Sequence, residues 1–489
     1  MMRLRDLLAG LSVLDFSGNL EEEIQGITYS SENVKPGFLF AALQGQNRDG
    51  FDFIQEAQAK GAQAILSEKA RPANLPGIWI QVTDARKALA LCSANFYSHP
   101  SQKMSVIGIT GTNGKTTITY LVEEILKRAK FNPGIIGTIT YRGPNMNITA
   151  QRTTPEAPDL QKLMKEMVDQ GASHCLMEVS SHSLDLKRVW GIQFKVVVFT
   201  NLSGDHLDYH HTMDEYFEAK KKLFFLNHHQ RIAVINGDDP WGQKLIPQVP
   251  IGVITYGLQD SAVIKGEKYQ LEEKGIEMEV KYPGGIMQIS TSLLGKPNLY
   301  NILASIAIAF TLKISPDFIK EGIANLKVIP GRFERIENSL GLNIFVDYAH
   351  TDDALRNLLE TFRDLNPKRI LLVFGAGGGR DKTKRERMGK VAASLADWIF
   401  LTSDNPRTED PMAIIRDVEK GIMNASNESY TIIVDRKDAI KKALSSAKKG
   451  DYILVAGKGH EDYQIFKDKI IHFKDAEVIR EILEQMESK

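Results

Sequence analysis

Residues 111–117, GTNGKTT, have the types and spacing needed to bind a phosphate chain. They follow an apolar run, residues 106–110, and precede a helix-like run, residues 118–129. A glycine-rich turn between a strand and a helix directs backbone N–H groups and the positive helix end at phosphates. Lys115 would then reach the outer phosphates, and the Thr116 hydroxyl would bind Mg²⁺. The motif predicts a site for ATP or another nucleoside triphosphate.

The motif departs from the common pattern G-x-x-x-x-G-K-[ST] at its first position. Ile109 stands where the first glycine is expected, and Gly108 comes one residue earlier. This departure points away from the common NTPases and towards a different class of ATP-using protein.

Polar residues follow two further strand-like runs of the same region. Glu178 ends the run that begins at residue 174, and a carboxylate in that position beside a nucleotide loop suits Mg²⁺. Residues 205–211, DHLDYHH, follow the run 195–200 and could form a second metal or phosphate site. The alternatives are a strand-end acid that faces water and a solvated polar loop.

Lys220 lies on the apolar face of a predicted helix, residues 213–226. Burial favours a neutral amine, and a neutral amine can add CO₂ to become a carbamate, an anionic oxygen ligand for Mg²⁺. From the residues alone we favour the alternative, a lysine whose stem packs while its ammonium reaches water. The residues that share its face at helical spacing are Tyr216, Phe217, Leu223 and Phe224.

Three loops follow strand-like runs in the last third of the chain, at residues 375–381, 403–407 and 457–461. Loops at the carboxyl ends of parallel strands converge on one crevice. They would bring arginine, asparagine and glutamate side chains together, which suits a small zwitterion, and Arg407 could bind a carboxylate through two hydrogen bonds. Residues 347–351 or 330–334 could close over ATP. Each loop alone is also compatible with ordinary turn chemistry.

These sites need a scaffold, and the chain of 489 residues is too long for one core. Strand-like and helix-like runs alternate in its second and third parts, which is typical of βαβ units and mostly parallel sheets. We predict an α/β protein with a central P-loop-type sheet and a C-terminal doubly wound, Rossmann-like sheet. The predicted domains are residues 1–100, 101–331 and 332–489.

Composition excludes several classes of protein. The chain has 61 basic and 61 acidic residues, so its neutral balance argues against nucleic-acid or anionic-membrane binding. Cys92 and Cys175 are its two cysteines and cannot make a disulfide framework, which suits the reducing cytosol. No apolar run reaches about 18 residues, and no signal peptide is recognisable. We expect a cytoplasmic monomer without stable membrane insertion and without a nucleic-acid partner.

Taken together, the motifs resemble those of the Mur ligase family over nearly the whole chain. The segments that carry the resemblance are residues 111–117, 153–156, 178–182, 205–210, 216–220, 330–332, 347–351, 404–407 and 457–461. The resemblance implies a UDP-binding N-terminal domain, a central ATPase domain and a C-terminal domain that takes an amino acid. Within the family, the chain most resembles the ligases that extend a UDP-muramoyl dipeptide during peptidoglycan synthesis.

The resemblance also assigns residues to sites. The ATP site is Gly111, Thr112, Asn113, Gly114, Lys115, Thr116, Thr117, Asn301, Arg332 and Asp347. The site for UDP-N-acetylmuramoyl-L-Ala-D-Glu is Ser30, Gln46, Asn47, Thr153, Thr154, Ser180 and Arg188. The amino-acid site is Arg380, Asp404, Asn405, Arg407, Gly457 and Glu461. The Mg²⁺ site is Thr116, Glu178, His206 and Lys220 as a carbamate, and the catalytic residues are Lys115, Lys220 and His206.

The implied reaction begins with transfer of a phosphoryl group from ATP to the D-Glu side-chain carboxylate. The amine of the incoming amino acid then displaces phosphate from the acyl phosphate and forms an amide. In this family the loop D-N-P-R, here residues 404–407, accompanies meso-diaminopimelate, whose additional carboxylate needs a cation. The alternatives are an L-lysine-adding ligase, a ligase similar to folylpolyglutamate synthetase, and a regulatory P-loop NTPase.

Overall fold

The computed structural model describes residues 1–45, 48–73, 75–226, 231–426 and 428–487. Three α/β domains follow one another along the chain, each around its own main sheet. The predicted fold class is confirmed, whereas the exact domain limits stay predictions. Within the described ranges, every helix lacks the length or the apolar character needed to cross a membrane.

The N-terminal domain has a five-stranded sheet in the order β2-β7-β6-β5-β4, in which β2 is antiparallel to its neighbour. β1 and β3 form a separate pair. The strands are β1 Met2–Arg3, β2 Val13–Ser17, β3 Glu23–Ile24, β4 Gly26–Thr28, β5 Phe38–Ala41, β6 Ala62–Ser67 and β7 Ile78–Val82. The helices are α1 Leu4–Leu7, α2 Ile54–Ala59 and α3 Ala85–Phe96, with 3₁₀ turns at Ser31–Asn33, Gly50–Phe53 and Pro100–Gln102.

The central domain has an eleven-stranded sheet in the order β11-β10-β9-β12-β8-β13-β14-β15-β16-β17-β18. The strands are β8 Ser105–Thr110, β9 Pro133–Ile136, β10 Thr140–Gly143, β11 Met146–Thr149, β12 His174–Glu178, β13 Phe194–Phe199, β14 Ile232–Asn236, β15 Gly252–Gly257, β16 Ile264–Glu272, β17 Gly275–Tyr282 and β18 Gly285–Thr291. The helices are α4 Lys115–Arg128, α5 Ala157–Asp169, α6 Ser181–Asp185, α7 Leu207–His210, α8 Met213–Lys221, α9 Pro240–Leu245, α10 Lys296–Thr311 and α11 Pro316–Asn325, with 3₁₀ turns at Lys222–Phe225 and Ile246–Gln248.

Strand β8 lies inside the central sheet, parallel to β12 on one side and β13 on the other. Apart from the exposed Lys195 and the half-buried Ser105, the residues of all three strands are buried, which fits their mostly apolar sequences. Since their carboxyl ends meet at one edge, the loops after them, including the phosphate-binding motif, are neighbours. Antiparallel strands at both ends make the sheet mixed.

The C-terminal domain has a six-stranded sheet in the order β19-β20-β24-β21-β22-β23, parallel except for β19. The strands are β19 Glu334–Arg335, β20 Asn343–Asp347, β21 Arg369–Phe374, β22 Trp398–Leu401, β23 Tyr430–Ile432, β24 Asp451–Ala456, and the separate hairpin β25 Tyr463–Ile465 and β26 Ile470–His472. The helices are α12 Asp352–Arg363, α13 Thr383–Leu395, α14 Pro411–Asn424, α15 Arg436–Ser446 and α16 Asp475–Glu487. Helices α12, α13 and α14 cover one face, and α15 and α16 cover the other.

Some of the runs that alternate in the sequence are shorter in the structure. The strand-like run 134–139 is a strand only to Ile136, and a Cβ atom at the following Gly137 would lie 2.4 Å from Glu178 Oε1. The helix predicted for residues 213–226 is α-helical only to Lys221 and then tightens into a 3₁₀ turn. The strand-like runs before the loops 375–381 and 403–407 are the observed strands β21 and β22.

Side chains join the domains at several points. The Tyr29 hydroxyl of the N-terminal domain donates to Asp159 Oδ2 of the central domain at 2.9 Å. Asn113, in the phosphate-binding turn, donates through Nδ2 to Asp353 Oδ2 on α12 at 3.0 Å. The turn therefore contacts the C-terminal domain directly.

Candidate active site

The phosphate-binding motif forms a tight turn between β8 and α4. Its glycines have positive φ angles, 143° at Gly111 and 89° at Gly114, which side chains disfavour. A Cβ atom would lie 1.8 Å from Thr200 Oγ1 at the first position and 2.4 Å from Asn301 Oδ1 at the second. Both positions therefore require glycine, and the turn directs the N-terminus of α4 at an adjoining cavity.

This cavity has a volume of about 230 Å³. The predicted ATP residues Thr112, Asn113, Gly114, Lys115, Thr116, Thr117, Asn301, Arg332 and Asp347 line it. The carbonyl oxygen of Gly111 instead accepts hydrogen bonds from Lys115 and Lys220. The structure thus brings the predicted ATP residues together from two domains.

Glu178 lies at the centre of a group of oxygen atoms beside the turn. Its two carboxylate oxygens lie 3.0 and 3.1 Å from Thr116 Oγ1. The backbone N and the hydroxyl of Thr138 donate to the same carboxylate at 3.0 and 2.9 Å. A carboxylate and threonine hydroxyls are the hard oxygen donors that Mg²⁺ prefers, so Thr116 and Glu178 fit this ion.

Two lysines converge on the carbonyl oxygen of Gly111. Lys115 Nζ donates to it at 2.9 Å and Lys220 Nζ at 2.8 Å. Lys220 is 1 % exposed, and its amine lies 4.5 Å from the centroid of the Tyr216 ring. Burial, reinforced by the charge of Lys115, holds the pKa of Lys220 well below its usual range. The ammonium that reaches water, which the residues alone favoured, is therefore wrong, and the carbamate that the resemblance implies stays a prediction.

Asp205 and His206 belong to the same cavity. His206 Nε2 lies 3.4 Å from Asp205 Oδ2. Desolvation in the cleft lowers the pKa of His206, and the charge of Lys115 acts in the same direction. The imidazole is therefore neutral near pH 7 and can accept a proton or bind a cation.

Asp208 and Tyr209 line the adjoining larger cleft, whereas the two following histidines line neither space. His210 is buried, with Nε2 2.9 Å from Ser181 Oγ, and His211 is exposed. Within the described ranges, no group of three or more His, Cys, Asp or Glu side chains is arranged to hold a metal ion. Asp205 and His206 face the cavity, whereas His210 and His211 do not line it, so a second metal or phosphate site in this segment stays a prediction.

The C-terminal domain contributes Arg332 and Asp347 to the cavity. The Arg332 guanidinium lies 4.6 Å from the centroid of the Tyr348 ring. Asp347 accepts from the backbone N of Phe333 and of Ala349, both at 2.8 Å, and burial raises its pKa. These bonds fix the segment after the domain junction to the end of β20, beside the phosphate-binding turn.

A larger cleft of about 1180 Å³ continues from the cavity. Both spaces share Thr138, Thr153, Ser180, Asp205, His206, Tyr348 and His350. The phosphate-binding turn and the wider cleft therefore belong to one site.

The predicted muramoyl-dipeptide contacts in the central domain form one wall of the cleft. Thr154 Oγ1 donates to the backbone O of Glu178 at 2.8 Å and accepts from the backbone N of Ser180 at 3.1 Å. Arg188 lies 2.8 Å from Glu156 Oε1 and donates to the backbone O of Thr154 at 3.1 Å. The residues of this set that line the cleft are Thr153, Thr154, Ser180 and Arg188.

Of the three predicted uridine contacts, Ser30 is the one that lies in the described part of the chain. Ser30 is half-buried, and its backbone N donates to Thr28 Oγ1 at 3.2 Å. Gln46 and Asn47 lie outside the described residues. Gln44, Gly45 and Arg86 line the cleft on the N-terminal side, and Ser30 does not. The three uridine contacts stay predictions.

The predicted amino-acid residues form the C-terminal wall of the cleft. Asn405 Nδ2 donates to Glu461 Oε2 at 2.8 Å, and burial raises the pKa of Glu461. Gly457 has a φ of 114°, and a Cβ atom there would lie 2.8 Å from Asp404 Oδ2. The full set at this wall is Arg380, Asp404, Asn405, Arg407, Gly457 and Glu461.

Arg380 and Arg407 supply cations to this wall. Arg380 is exposed, whereas Arg407 Nη1 donates to the backbone O of Gly378 at 2.7 Å. Since a carbonyl does not neutralise the guanidinium, Arg407 keeps its charge for an anion in the cleft.

Two residues that our sequence analysis did not assign to the site support it from behind. Thr138 joins Glu178 to Thr153: its hydroxyl donates to the Glu178 carboxylate and lies 3.1 Å from the hydroxyl of Thr153. Lys458 is 0 % exposed, and its Nζ lies 3.1 Å from Glu461 Oε2 and 3.3 Å from Asn405 Oδ1. The two glycines that flank Lys458 were a usable signal, whereas nothing in the sequence marks Thr138.

The arrangement combines a phosphate-binding turn, oxygen donors for a divalent cation and a cleft with cationic walls. Anionic molecules can therefore be held beside the outer phosphates of a nucleotide. His206 and Lys220 line the same cavity as the phosphate-binding turn. This geometry suits transfer of a phosphoryl group to a carboxylate followed by attack of an amine.

Three family models match the chain. They are the Mur ligase family, catalytic domain, at residues 23–97, the Mur ligase middle domain at residues 109–309, and the Mur ligase, glutamate ligase domain at residues 331–459. Together they cover most of the chain in the order of the three observed domains.

Curated relatives extend the similarity to the whole chain. A UDP-N-acetylmuramoyl-L-alanyl-D-glutamate–2,6-diaminopimelate ligase from Clostridium tetani is 43% identical over 99% of this chain and 100% of its own length. A protein of the same name from Clostridium botulinum is 44% identical over 95% of this chain and 96% of its own. A solved structure of a ligase so named has a TM-score of 0.70 and 30% identity, covering 99% of both chains.

Proposed function

Because this chain belongs to the Mur ligase family, we propose that it joins meso-diaminopimelate to the D-Glu side-chain carboxylate of UDP-N-acetylmuramoyl-L-Ala-D-Glu. ATP is converted to ADP and phosphate in the same reaction, a step of peptidoglycan precursor synthesis. One observation carries the proposal: a single site joins the phosphate-binding turn to a cleft lined by the D-N-P-R loop. The names of the relatives support the same substrates.

The protein overcomes the mutual repulsion of two anions. A carboxylate oxygen must attack the γ-phosphorus of ATP, and both partners are negatively charged. Lys115 and the N-terminus of α4 offset the charge of the phosphates, and Arg332 adds a cation from the C-terminal domain. The products of this step are ADP and an acyl phosphate.

Mg²⁺, when bound, would supply further positive charge to the phosphates. Thr116 and Glu178 would hold it, because their oxygens lie beside the turn. The binding of Mg²⁺ is part of the proposal.

Lys220 belongs to the proposal as a carbamate. Its amine, whose pKa is held low by burial, would bond to the carbon of CO₂ and lose a proton. The resulting carbamate is an anion and would supply an oxygen ligand for a metal ion beside Lys115 and His206. The unmodified amine carries no negative charge and has no oxygen to offer. The carbamate nitrogen would keep one N–H, which could still donate to Gly111 O.

The second step joins the amine to the activated carbonyl. The amine attacks the acyl phosphate, and the tetrahedral intermediate expels phosphate, which retains one oxygen of the original carboxylate. Asn405 and Glu461, held by Lys458, would orient the amino-acid substrate. The contact between the C-terminal domain and the phosphate-binding turn would keep water from the acyl phosphate.

Two rival ligases are less well supported. The D-N-P-R loop places Arg407 in the cleft, and a cation there suits the second carboxylate of diaminopimelate better than the ammonium of L-lysine. A folylpolyglutamate synthetase-like activity leaves this loop without a role. Location in the cytoplasm and a monomeric state stay predictions.

Phosphate release separates the ligase from a regulatory NTPase. We expect release from ATP only when both the UDP-muramoyl dipeptide and diaminopimelate are present, because the carboxylate is the phosphoryl acceptor and the amine completes turnover. A coupled phosphate assay with each substrate omitted in turn checks this. Equal release without either substrate would instead identify a switch NTPase.

A further inference from the structure

We infer that Arg385 and Glu409 are positioning residues that set amino-acid selectivity by fixing the guanidinium of Arg407. The inference rests on the proposed function and deepens it. Arg385 lies on α13, and Glu409 follows the D-N-P-R loop. Arg385 lies in the connection between β21 and β22, and Glu409 lies in the connection between β22 and β23. Their ion pair therefore joins these two connections.

The two loops lie in direct backbone contact. Gly378 N donates to the backbone O of Asn405 at 2.9 Å. A Cβ atom at Gly378 would lie 2.0 Å from the backbone O of Pro406. The glycine-rich loop 375–379 therefore forms the surface against which loop 403–407 is seated.

Arg385 holds this glycine-rich loop from inside the domain. It is 1 % exposed, and its Nη2 donates to Glu409 Oε1 at 2.9 Å and to the backbone O of Gly377 at 3.2 Å. Its Nη1 donates to Glu409 Oε2 at 3.0 Å and to Asp417 Oδ2 at 3.1 Å. One buried guanidinium thus joins a backbone carbonyl of the first loop to a carboxylate beside the second.

Glu409 completes the connection from the other side. Its Oε1 accepts from the backbone N of Gly379 at 2.6 Å. The Arg385 guanidinium and the Gly379 N–H lower the pKa of Glu409 to about 2, so the carboxylate is charged at any working pH. Arg385 binds the loop at residue 377 and Glu409 binds it at residue 379.

Arg407 binds the loop between these two points. Its Nη1 lies 2.7 Å from the backbone O of Gly378. A Cβ atom at Gly377 would lie 3.1 Å from Arg407 Nη1, and one at Gly379 would lie 3.6 Å from its Cδ. The side chain therefore runs along a surface whose position is set by Arg385 and Glu409.

The charges support a positioning role rather than direct binding. Arg385 is neutralised by two carboxylates, whereas Arg407 contacts carbonyl oxygens. Arg407 also has a φ of 55°, an uncommon conformation that its neighbours must maintain. Weakening the ion pair of Arg385 and Glu409 should displace the Arg407 guanidinium, which would bind the second carboxylate of diaminopimelate, and should leave the nucleotide site intact.

The test compares Arg385→Lys and Glu409→Gln with the unmodified protein. Lysine keeps the charge but cannot bridge Glu409 and Gly377 together, and glutamine keeps the shape but loses the charge. For Arg385→Lys we expect KM for meso-diaminopimelate to rise about tenfold, with kcat changed less than about threefold. The preference for meso-diaminopimelate over L-lysine should fall about tenfold, and KM for ATP should stay within about twofold. Glu409→Gln should shift the same two quantities in the same direction.

Two further variants separate positioning from general destabilisation. Arg363→Lys is the matched control, since Arg363 pairs with Asp397 at 2.7 Å and with the backbone O of Leu395 at 2.8 Å, away from both loops. It should leave selectivity unchanged. In an Arg407→Ala background, Arg385→Lys should change selectivity less than about twofold, because the residue it positions is absent.

Unchanged selectivity in both Arg385→Lys and Glu409→Gln would overturn the inference, as would an equal loss in the Arg407→Ala background. If Arg385→Lys does not fold, Glu409→Gln alone decides, by its selectivity. If the unmodified protein forms no product with diaminopimelate, the proposed function itself fails. If the unmodified protein forms product and the variants keep its preference, only this inference fails.

Discussion

Lys220→Ala is expected to lose nearly all ligase activity, with kcat reduced by more than about 100-fold. The amine of Lys220 is buried, and its pKa is held low beside Lys115 and the phosphate-binding turn. A neutral amine in that position can become a carbamate, and alanine removes the anionic oxygen atoms that this group would supply. Turnover measured with saturating ATP, UDP-muramoyl dipeptide and diaminopimelate checks the loss.

Addition of a short carboxylic acid should restore part of the activity of Lys220→Ala. Formate or acetate can place a carboxylate in the space that the truncated side chain leaves. Lys221→Ala, which alters the neighbouring, partly exposed lysine, should retain activity and serves as the control. Full activity in Lys220→Ala without added acid would refute the assignment.

Arg407→Ala is expected to lower kcat/KM for meso-diaminopimelate by about 100-fold, since a lost charge pair in a closed site costs about 2–5 kcal/mol. The value for L-lysine should change far less, because L-lysine has no second carboxylate for Arg407 to bind. Ligation rates measured with the two amino acids give the ratio directly. The unmodified protein should strongly prefer meso-diaminopimelate.

Arg416→Ala provides the control for the loss of an arginine in the same domain, because Arg416 is exposed on α14. Both amino acids should react as with the unmodified protein. Equal rates of the unmodified protein with the two amino acids would remove Arg407 as the selecting residue.

The phosphate-binding turn could be predicted from the sequence because its chemistry is local. Glycines at 111 and 114, a lysine and a threonine follow one another between a strand and a helix, so their spacing determines their geometry. The three strand-end loops of the C-terminal domain were predictable for a related reason. Parallel strands place their carboxyl ends at one edge, whatever the distance between the loops in the chain.

Residues 205–211 show what composition alone does not resolve. It allowed a metal or phosphate site or a solvated loop, and the structure places Asp205 and His206 at the cavity while α7 sends His210 towards Ser181 and leaves His211 exposed. Lys220 is a different case: helical spacing predicted its burial correctly, whereas the residues alone favoured an ammonium in water and only the family resemblance implied a carbamate. The surroundings of its amine are Gly111 O and the Tyr216 ring, and only folding brings Gly111 close to Lys220.

The ion pair of Arg385 and Glu409 could not be predicted from the sequence. Its partners are 24 positions apart and carry no motif of their own. Their contact depends on the packing of α13 against the loop after β22. Supporting residues of this kind follow from the tertiary structure rather than from local patterns.

The central claim, activation of the D-Glu side-chain carboxylate by phosphoryl transfer, has a direct isotopic test. The UDP-muramoyl dipeptide is labelled with ¹⁸O in that carboxylate, and the phosphate released during ligation to diaminopimelate is analysed by mass spectrometry. The mechanism predicts one ¹⁸O atom in each phosphate formed from fully labelled substrate, together with one amide product. Unlabelled phosphate would show that the carboxylate oxygen never bonds to phosphorus and would contradict the account.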